Sequence, residues 1–444
     1  MRRPLLLVAV ALLLAGCGAP IGSGQVDSGD SVPGVERADP ATDRLGWEDG
    51  YWYDDPIDVN VTDGLAPAER DQVIARMKAR LERIRNLEFT EPVNVTVVTR
   101  EQYRQNQSSA TNGTHAAWNN QVWEGLFLVG EDRSIDEVFS NTLGSAVVGS
   151  YSPSQGNIVI VSDDAQPVLA RGTLAHELVH ALQDQQFEFD GRSPTQDEQL
   201  AESGLVEGEA NLLESRYQQR CEGAWNCIET QPSVGGSGGG VDRGVLTVLI
   251  HPYIVGPEFV SAIEARSGWA GVNAAHENYP ESTEQIVDPS LYPGETPVDV
   301  TVADRSTDAW SRFDHDPVAD TLGQASIHTM FAVNGVNNGN VRRYGYDHPA
   351  AVGWDGDALV PYRNGDDYGY VWESVWESTA DAREFRDAYL DLLEREGATE
   401  SGDGVYTVPE TSPFGDAFRV TLSGDRVRVV NAPTTDALDG IHAP

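Results

Sequence analysis

Lysine is nearly missing from this chain: Lys78 is the only one among 30 basic residues, which face 70 acidic ones and leave a formal net charge of −40. A surface of that sign has little to offer a phosphate backbone, which disfavours nucleic-acid binding and charge-driven attachment to anionic membranes. Cysteine is scarce too. Three in 444 residues are too few for a disulfide scaffold, and the one Gly-x-Ser-x-Gly match, Gly235–Gly239, belongs to a glycine-rich loop and not to a strand-to-helix elbow that would expose a serine nucleophile. No loop is rich in histidine, which argues against a metal-scavenging role, and no internal repeat has a fixed period. After residue 15 no stretch approaches the length expected of a membrane-spanning helix.

A hydrophobic content of 40% and ten tryptophans argue for a packed globular protein and against a disordered acidic chain. In low salt the acidic surface repels itself and destabilises the compact state. At molar salt the Debye length falls to about 3 Å and the repulsion is screened. Acid excess with arginine in place of lysine resembles proteins of extreme halophiles and implies a salt-adapted surface.

Arg2 and Arg3 precede an apolar run from Leu5 to Ala15, which ends in Leu14-Ala15-Gly16-Cys17. The run is too short to span a bilayer of about 30 Å, so residues 1–16 read as an export signal. The small residues before Cys17 resemble a lipobox, which implies lipid attachment at Cys17, and the paired arginines resemble a twin-arginine signal. The location expected is the extracellular face of the cell membrane. Residues 17–44, rich in Gly, Ser, Pro and Asp, read as a flexible tether. In an exported chain a disulfide between Cys221 and Cys227 is expected, two free thiols being the alternative. Asn60, Asn94, Asn106 and Asn112 begin Asn-x-Ser/Thr sites that permit glycosylation.

The remaining 400 or so residues exceed one simple core, so two subdomains are expected, 45–230 with the metal site and 241–433, followed by a tail at 434–444. Ala66 to Leu87 predicts an amphipathic helix with its charges on the outer face. Pro92 to Val98 alternates as a half-buried strand, and Asn157 to Ser162 is a more continuously apolar one. Further helices are expected at Asp197–Arg220, Val245–Arg266, Asp320–Val333 and Ala380–Glu396. Strands are expected over Tyr368–Trp376, where alternating Tyr368, Tyr370, Trp372 and Trp376 read as a packed sheet face, and a hairpin at Phe418–Val430. Gly235 to Gly240 reads as a loop.

The most informative segment is His176-Glu177-Leu178-Val179-His180. Histidines at i and i+4 share a helix face, so both imidazoles can reach one zinc, with Glu177 beside the water it carries. No Pro or Gly interrupts Thr173 to Phe187. A catalytic zinc takes a third protein ligand. Glu207 on the next helix is the preferred candidate, with Ser203, Gly204 and Ala210 small enough to let the two helices approach. Glu202 is a rival, and Glu209, nearly opposite Glu207 around a helix, could support the site only indirectly.

HELVH followed by a Glu-Gly-x-Ala helix resembles the gluzincin metallopeptidases, and the wider chain resembles a set of HExxH-containing haloarchaeal surface lipoproteins. That likeness extends to HPYIVGPEFV from His251, SGWAGVNAAHENYPESTEQIVDP from Ser267, GWDGDALVPY from Gly353 and the Trp372–Leu393 stretch. It implies an α+β gluzincin-like fold: a small sheet with an edge strand, provided by the Asn157–Ser162 segment, beside the HExxH helix, then a largely helical second subdomain and a C-terminal β-hairpin. It also implies zinc held by His176, His180 and Glu207, Glu177 as general base, and a His or Tyr to stabilise the oxyanion. The candidates for that last role are His251, Tyr253, His276, Tyr279 and His328. One departure stands out, Asp288-Pro289 where the resemblance leads one to expect His-Pro. The function expected is peptide hydrolysis on a peptide or protein substrate. The alternative is a non-catalytic cell-surface or envelope lipoprotein that keeps the fold.

Overall fold

The computed structural model describes residues 39–57, 59–60, 64–107, 113–163, 170–187, 189, 193–228, 240–336 and 342–443. The signal segment, Cys17, most of the expected tether, Asn112 and nearly all of the 235–240 loop lie outside them. The protein is of mixed α+β class. Its contacts divide it into two units, each assembled from separate stretches of chain where two consecutive blocks had been expected. The first comprises Met1–Ser108, Ser145–Gly191 and Glu209–Ser237, the second Ser109–Gly144, Arg192–Gly208 and Gly238–Pro444.

The first unit is built on the helices Pro67–Arg85 and Arg171–Phe187 and a three-stranded sheet. Pro67 starts the first helix, the Glu69 carboxylate accepts the Ala66 N–H, and Asn86 ends it at a left-handed φ of 61°. The charged face expected in solvent is instead buried, at Arg76, Lys78, Arg80, Glu82 and Arg85. Each of four of these charges has a partner that no helical period can display. Lys78 meets Glu48 at 2.5 Å, Glu82 accepts the N–H groups of Gly46 and Phe89, Arg80 donates to the carbonyls of Tyr53 and Asn226, and Arg85 pairs with Glu209. Burial, with Glu48 next to it, pushes the Glu82 carboxyl up to about 9. Cys221 and Cys227 form a disulfide with Cα atoms 5.5 Å apart.

The sheet order corrects one expectation. Asn157–Val161 is the central strand, parallel to Asn94–Val98 and antiparallel to Gly149–Ser152, so it is not the edge beside the HExxH helix. Its continuous apolar run fits a strand flanked on both sides. The edge position falls to Gly149–Ser152, whose first residue packs against Thr173 and Glu177.

The second unit carries the helices Gly113–Gly125, Ile135–Ala146, His251–Glu277, Gly323–Val333 and Thr379–Arg395, but it is not largely helical. The C-terminal hairpin, Ala417–Ser423 with Arg426–Ala432, is the middle of a seven-stranded antiparallel sheet. Asp367–Trp376 joins it to the long strand Trp354–Asn364. Trp372 and Trp376 are buried against Phe385 of Thr379–Arg395, so these aromatics form core. The helix expected over Val245–Arg266 is two, Arg243–Leu249 and His251–Glu277, meeting at Ile250. By length and composition alone the stretch Arg243–Glu277 is apolar enough to cross a membrane, contrary to the sequence reading, although half of its most apolar window is buried in the protein. The expected tail contains the short helix Leu438–Ile441, whose two end residues are buried in the core.

Three buried aspartates stitch this unit together. Asp197 accepts the N–H and hydroxyl of Thr283, Asp320 the N–H groups of Gln196 and Thr321, and Asp357 those of Leu322 and Gly323. Gly323 sits at a φ of +71°, and a Cβ there would lie 1.7 Å from Asp197 Oδ1, so both conformation and space demand glycine. Burial pushes the carboxyls up to about 8 for Asp197, about 7 for Asp320 and about 6 for Asp357, from an ordinary value of 3.8. The folded state therefore holds protons that the unfolded chain has lost. That stabilisation is complete below about pH 4 and disappears as pH climbs through the folded values. Thermal unfolding at fixed molar salt is accordingly expected to show a midpoint that falls from about pH 5 to about pH 8. Asp197→Asn should flatten that decline; an unchanged slope in this variant would refute the assignment.

Candidate metal centre

His176 and His180 lie on the helix Arg171–Phe187, one turn apart and fully buried, with rings 4.7 Å apart and nearly perpendicular. Their Nε2 atoms are 3.1 Å from one another. Two nitrogens bound tetrahedrally at 2.0–2.1 Å from one zinc would stand about 3.3 Å apart, so the pair is spaced for a shared ion. Glu207 completes the group: one ligand-capable atom from each of the three residues lies within 4.8 Å of the others. It is carried on Gln196–Cys221, an unbroken helix whose residues 209–221 belong to the first unit. Two imidazoles and one carboxylate are a donor set suited to zinc, and the residues present fit that ion.

What orients the imidazoles was not visible in the motif. His180 Nδ1 lies 2.9 Å from Gln183 Oε1, and Gln183 Nε2 donates to Glu209 Oε2 at 2.8 Å. Glu209 in turn takes Arg85, a pair buried at 1% exposure on each side. An ionised Glu209 can only accept, so Gln183 must turn its amide N–H towards it and its carbonyl towards His180. His180 therefore carries its proton on Nδ1, leaving the Nε2 lone pair facing the other ligands. On the opposite side His176 Nδ1 faces Glu214 Oε2 at 3.5 Å, which favours the same tautomer. Glu214 stands seven residues after Glu207 and Gln183 three after His180, so both could have been found by following each helix face. Arg85 carried no such signal.

The small residues do a different job from the one expected. A Cβ at Gly204 would run into Ile286 of the short helix Thr283–Val287, and one at Gly208 would come within 2.4 Å of the Gly256 backbone, so Gly208 serves a crossing with His251–Glu277. Close approach to the HELVH helix is instead made at Gly172, where a Cβ would meet Glu214 Oε1 at 2.3 Å. Glu202 accepts a hydrogen bond from Ser193 and Glu209 is held by Arg85 and Gln183, and neither joins the three-residue group.

Glu177 is fully buried, and its Oε1 would stand 3.1 Å from a Cβ at Gly149 on the edge strand. A Cβ there would also come within 2.7 Å of Thr173 Cγ2, so the glycine lets the strand backbone pass close to this helix and to the Glu177 carboxylate. The five oxyanion candidates belong to the second unit. His251 is buried edge-on to Tyr346, and burial, then the nearby His328, pushes its imidazole down to about 3. His328 gives Nε2 to the Arg343 carbonyl and accepts the His348 N–H at Nδ1, so both its nitrogens are committed to backbone. His276 is buried with its ring 6.0 Å from Tyr279, and Tyr253 is half-buried on the same helix as His276. None of these three histidines enters a metal-capable group among the described residues. Asp288 occupies an exposed turn, where it accepts the N–H and hydroxyl of Ser290.

A family profile described as a domain of unknown function (DUF8575) matches residues 311–442, which carry much of the seven-stranded sheet and none of the three-residue group. No curated protein and no solved structure matches the chain.

Two substitutions separate support of the ligands from support of the base. Gln183→Leu removes the acceptor of His180 Nδ1–H and should weaken zinc affinity about 10–100-fold in competition with a chelating dye. Gly149→Val should leave zinc affinity within a factor of two to three, as the ordinary scatter of such measurements, while displacing Glu177. Loss of zinc in Gly149→Val, or unchanged affinity in Gln183→Leu, would contradict this division of roles.

Proposed function

We propose that this chain is a zinc-dependent metallopeptidase of the gluzincin kind, held at the outer face of the cell membrane by lipid on Cys17. The observation that carries the reading is the buried group of His176, His180 and Glu207, with the buried carboxylate of Glu177 on the same helix as the two histidines. A purely structural zinc site has no need of a second buried acid beside its three ligands.

A bound zinc supplies a water of lowered pKa and polarises the scissile carbonyl. Glu177 accepts the proton of the attacking water and returns it to the departing amine. Its place against Gly149 sets it next to the edge strand, along which an extended peptide can add as a further strand. Gln183 and Glu214 hold the two imidazoles in the tautomer that keeps each Nε2 available. The acidic surface suits work at high salt, where self-repulsion is screened.

A non-catalytic surface lipoprotein with the same site is the competing reading. It is favoured by the commitment of His328 to backbone and by the exposed Asp288 turn, which take two residues out of substrate chemistry. Zinc content by mass spectrometry and cleavage of a mixed peptide library in molar salt, for the wild type and Glu177→Gln, decide between them. The peptidase reading expects one zinc per chain in both proteins and a rate about 10²–10⁴-fold lower in the variant. Zinc in both without cleavage in either would favour the surface protein, and folded wild type without zinc would remove the site assignment.

A further inference from the structure

A second group of carboxylates lies in the second unit, built from parts of the sequence no motif connects. Glu124 is on the helix Gly113–Gly125, Glu131 follows it in a turn, and Asp416 precedes the strand Ala417–Ser423. One oxygen from each lies within 4.8 Å of the other two. Glu124 and Asp416 are buried and Glu131 is exposed. Among the described residues no Lys, Arg or His charge acts on any of the three, and each carboxyl is pushed upward, first by burial and then by acidic neighbours.

The neighbouring amides supply an independent observation. Gln121 Nε2 donates to Glu124 Oε2 at 2.5 Å, and Asn431 Nδ2 donates to Asp416 Oδ2 at 2.8 Å. The carbonyl oxygens of these same amides, Gln121 Oε1 and Asn431 Oδ1, are buried and make no hydrogen bond, in side chains 5% and 0% exposed. Each such oxygen shares a carbon with the nitrogen that touches a carboxylate, about 2.3 Å from that nitrogen, so a modest turn of the amide brings it to an ion held by the group. A buried carbonyl left unpaired has lost its water without a replacement partner, which destabilises the fold unless something binds there. Concentrated negative charge and two unpaired carbonyls both ask for a cation.

We propose that Glu124, Glu131 and Asp416, with the carbonyl oxygens of Gln121 and Asn431, form an all-oxygen site for a divalent cation, Ca²⁺ in preference to Mg²⁺. Ca²⁺ takes 6–8 oxygen ligands at 2.3–2.6 Å in adaptable geometry, carboxylates and amide carbonyls among them, whereas Mg²⁺ keeps most of its own water. The absence of any imidazole or thiolate from the group sets it apart from the zinc-type centre. The ion would fasten residues 113–131 to the C-terminal sheet at a point where the backbones already meet. The Glu131 N–H donates to the Pro413 carbonyl at 3.0 Å, and a Cβ at Gly130 would lie 2.5 Å from that proline's Cβ.

The test uses the mature chain in about 1 M NaCl, where a Debye length of about 3 Å suppresses loose binding to the acidic surface. Equilibrium dialysis with radioactive Ca²⁺, with and without excess Mg²⁺, is combined with thermal unfolding in Ca²⁺ or a Ca²⁺ chelator. One tight Ca²⁺ per chain is expected, not displaced by equimolar Mg²⁺, with an unfolding midpoint several degrees higher than in chelator. Asp416→Asn and Glu124→Gln should each lose at least tenfold in affinity. Glu131→Gln changes an exposed side chain, folds whatever the buried variants do, and should weaken binding severalfold while leaving zinc content unchanged. No stoichiometric binding to wild type, or equal affinity in Glu131→Gln and wild type, would overturn the site. So would a midpoint that ignores Ca²⁺ and rises only with acid, because protons would then be what neutralises the group.

Discussion

The ion pair between Arg85 and Glu209 is the interaction on which the first unit and its histidine helix depend. Both groups are removed from water, a state that costs several kcal/mol per ion unless geometry and hydrogen bonding are satisfied. Glu209 meets that condition by taking Arg85 on one oxygen and Gln183 on the other. The same two bonds fix the Gln183 amide, and through it the proton of His180. One buried contact thus ties the helix Pro67–Arg85 to the helix Gln196–Cys221 and sets the tautomer of His180, which neither helix carries. Removal of one partner would strand the other charge, which costs about 3–5 kcal/mol, so the stability of the unit and the setting of His180 are coupled in the same side chains.

The second unit meets buried charge in another way. Asp197, Asp320 and Asp357 are met by backbone N–H groups, a hydroxyl and the Trp354 indole N–H, with no basic residue bonded to them among the described residues. Their carboxyls sit near the protonation boundary, pushed up by burial and held down in part by those donors. The chain carries 70 acidic residues against 30 basic ones, and in this unit the buried aspartates are met by donors other than basic side chains. Backbone capping, protonation and a bound divalent ion are the remaining means of neutralising them, and the Asp197 and Asp416 groups illustrate different members of that set.

Periodic signals in the sequence matched local structure wherever one face decided the matter. The run Thr173–Phe187, the alternation at Val93–Val97 and the Phe418–Val430 hairpin all lie in elements of the expected type. They failed where burial was two-sided. The charges of Pro67–Arg85 looked solvated because a period reports only which residues share a face, and their partners Glu48 and Glu209 lie 30 and 124 residues away. The resemblance implied an edge for the Asn157–Val161 strand, but it has a second neighbour, Asn94–Val98, from a distant stretch of chain. Ser203, Gly204 and Ala210 suggested a close approach to the HELVH helix, but the Gly204 carbonyl lies against Gly256 of His251–Glu277 instead.

By itself the sequence determined the chemistry of the candidate centre. Histidines four residues apart on a helix face each other because the α-helix repeats every 3.6 residues, and a carboxylate seven residues from Glu207 returns to the same face. The tertiary structure alone decided how those groups are held: which nitrogen of each imidazole turns inward, which strand runs past Glu177, and which glycines permit it. These depend on contacts between residues far apart in the chain, whose pairing is set by packing and by the cost of leaving a buried charge or carbonyl unsatisfied. Local periodicity carries no record of either.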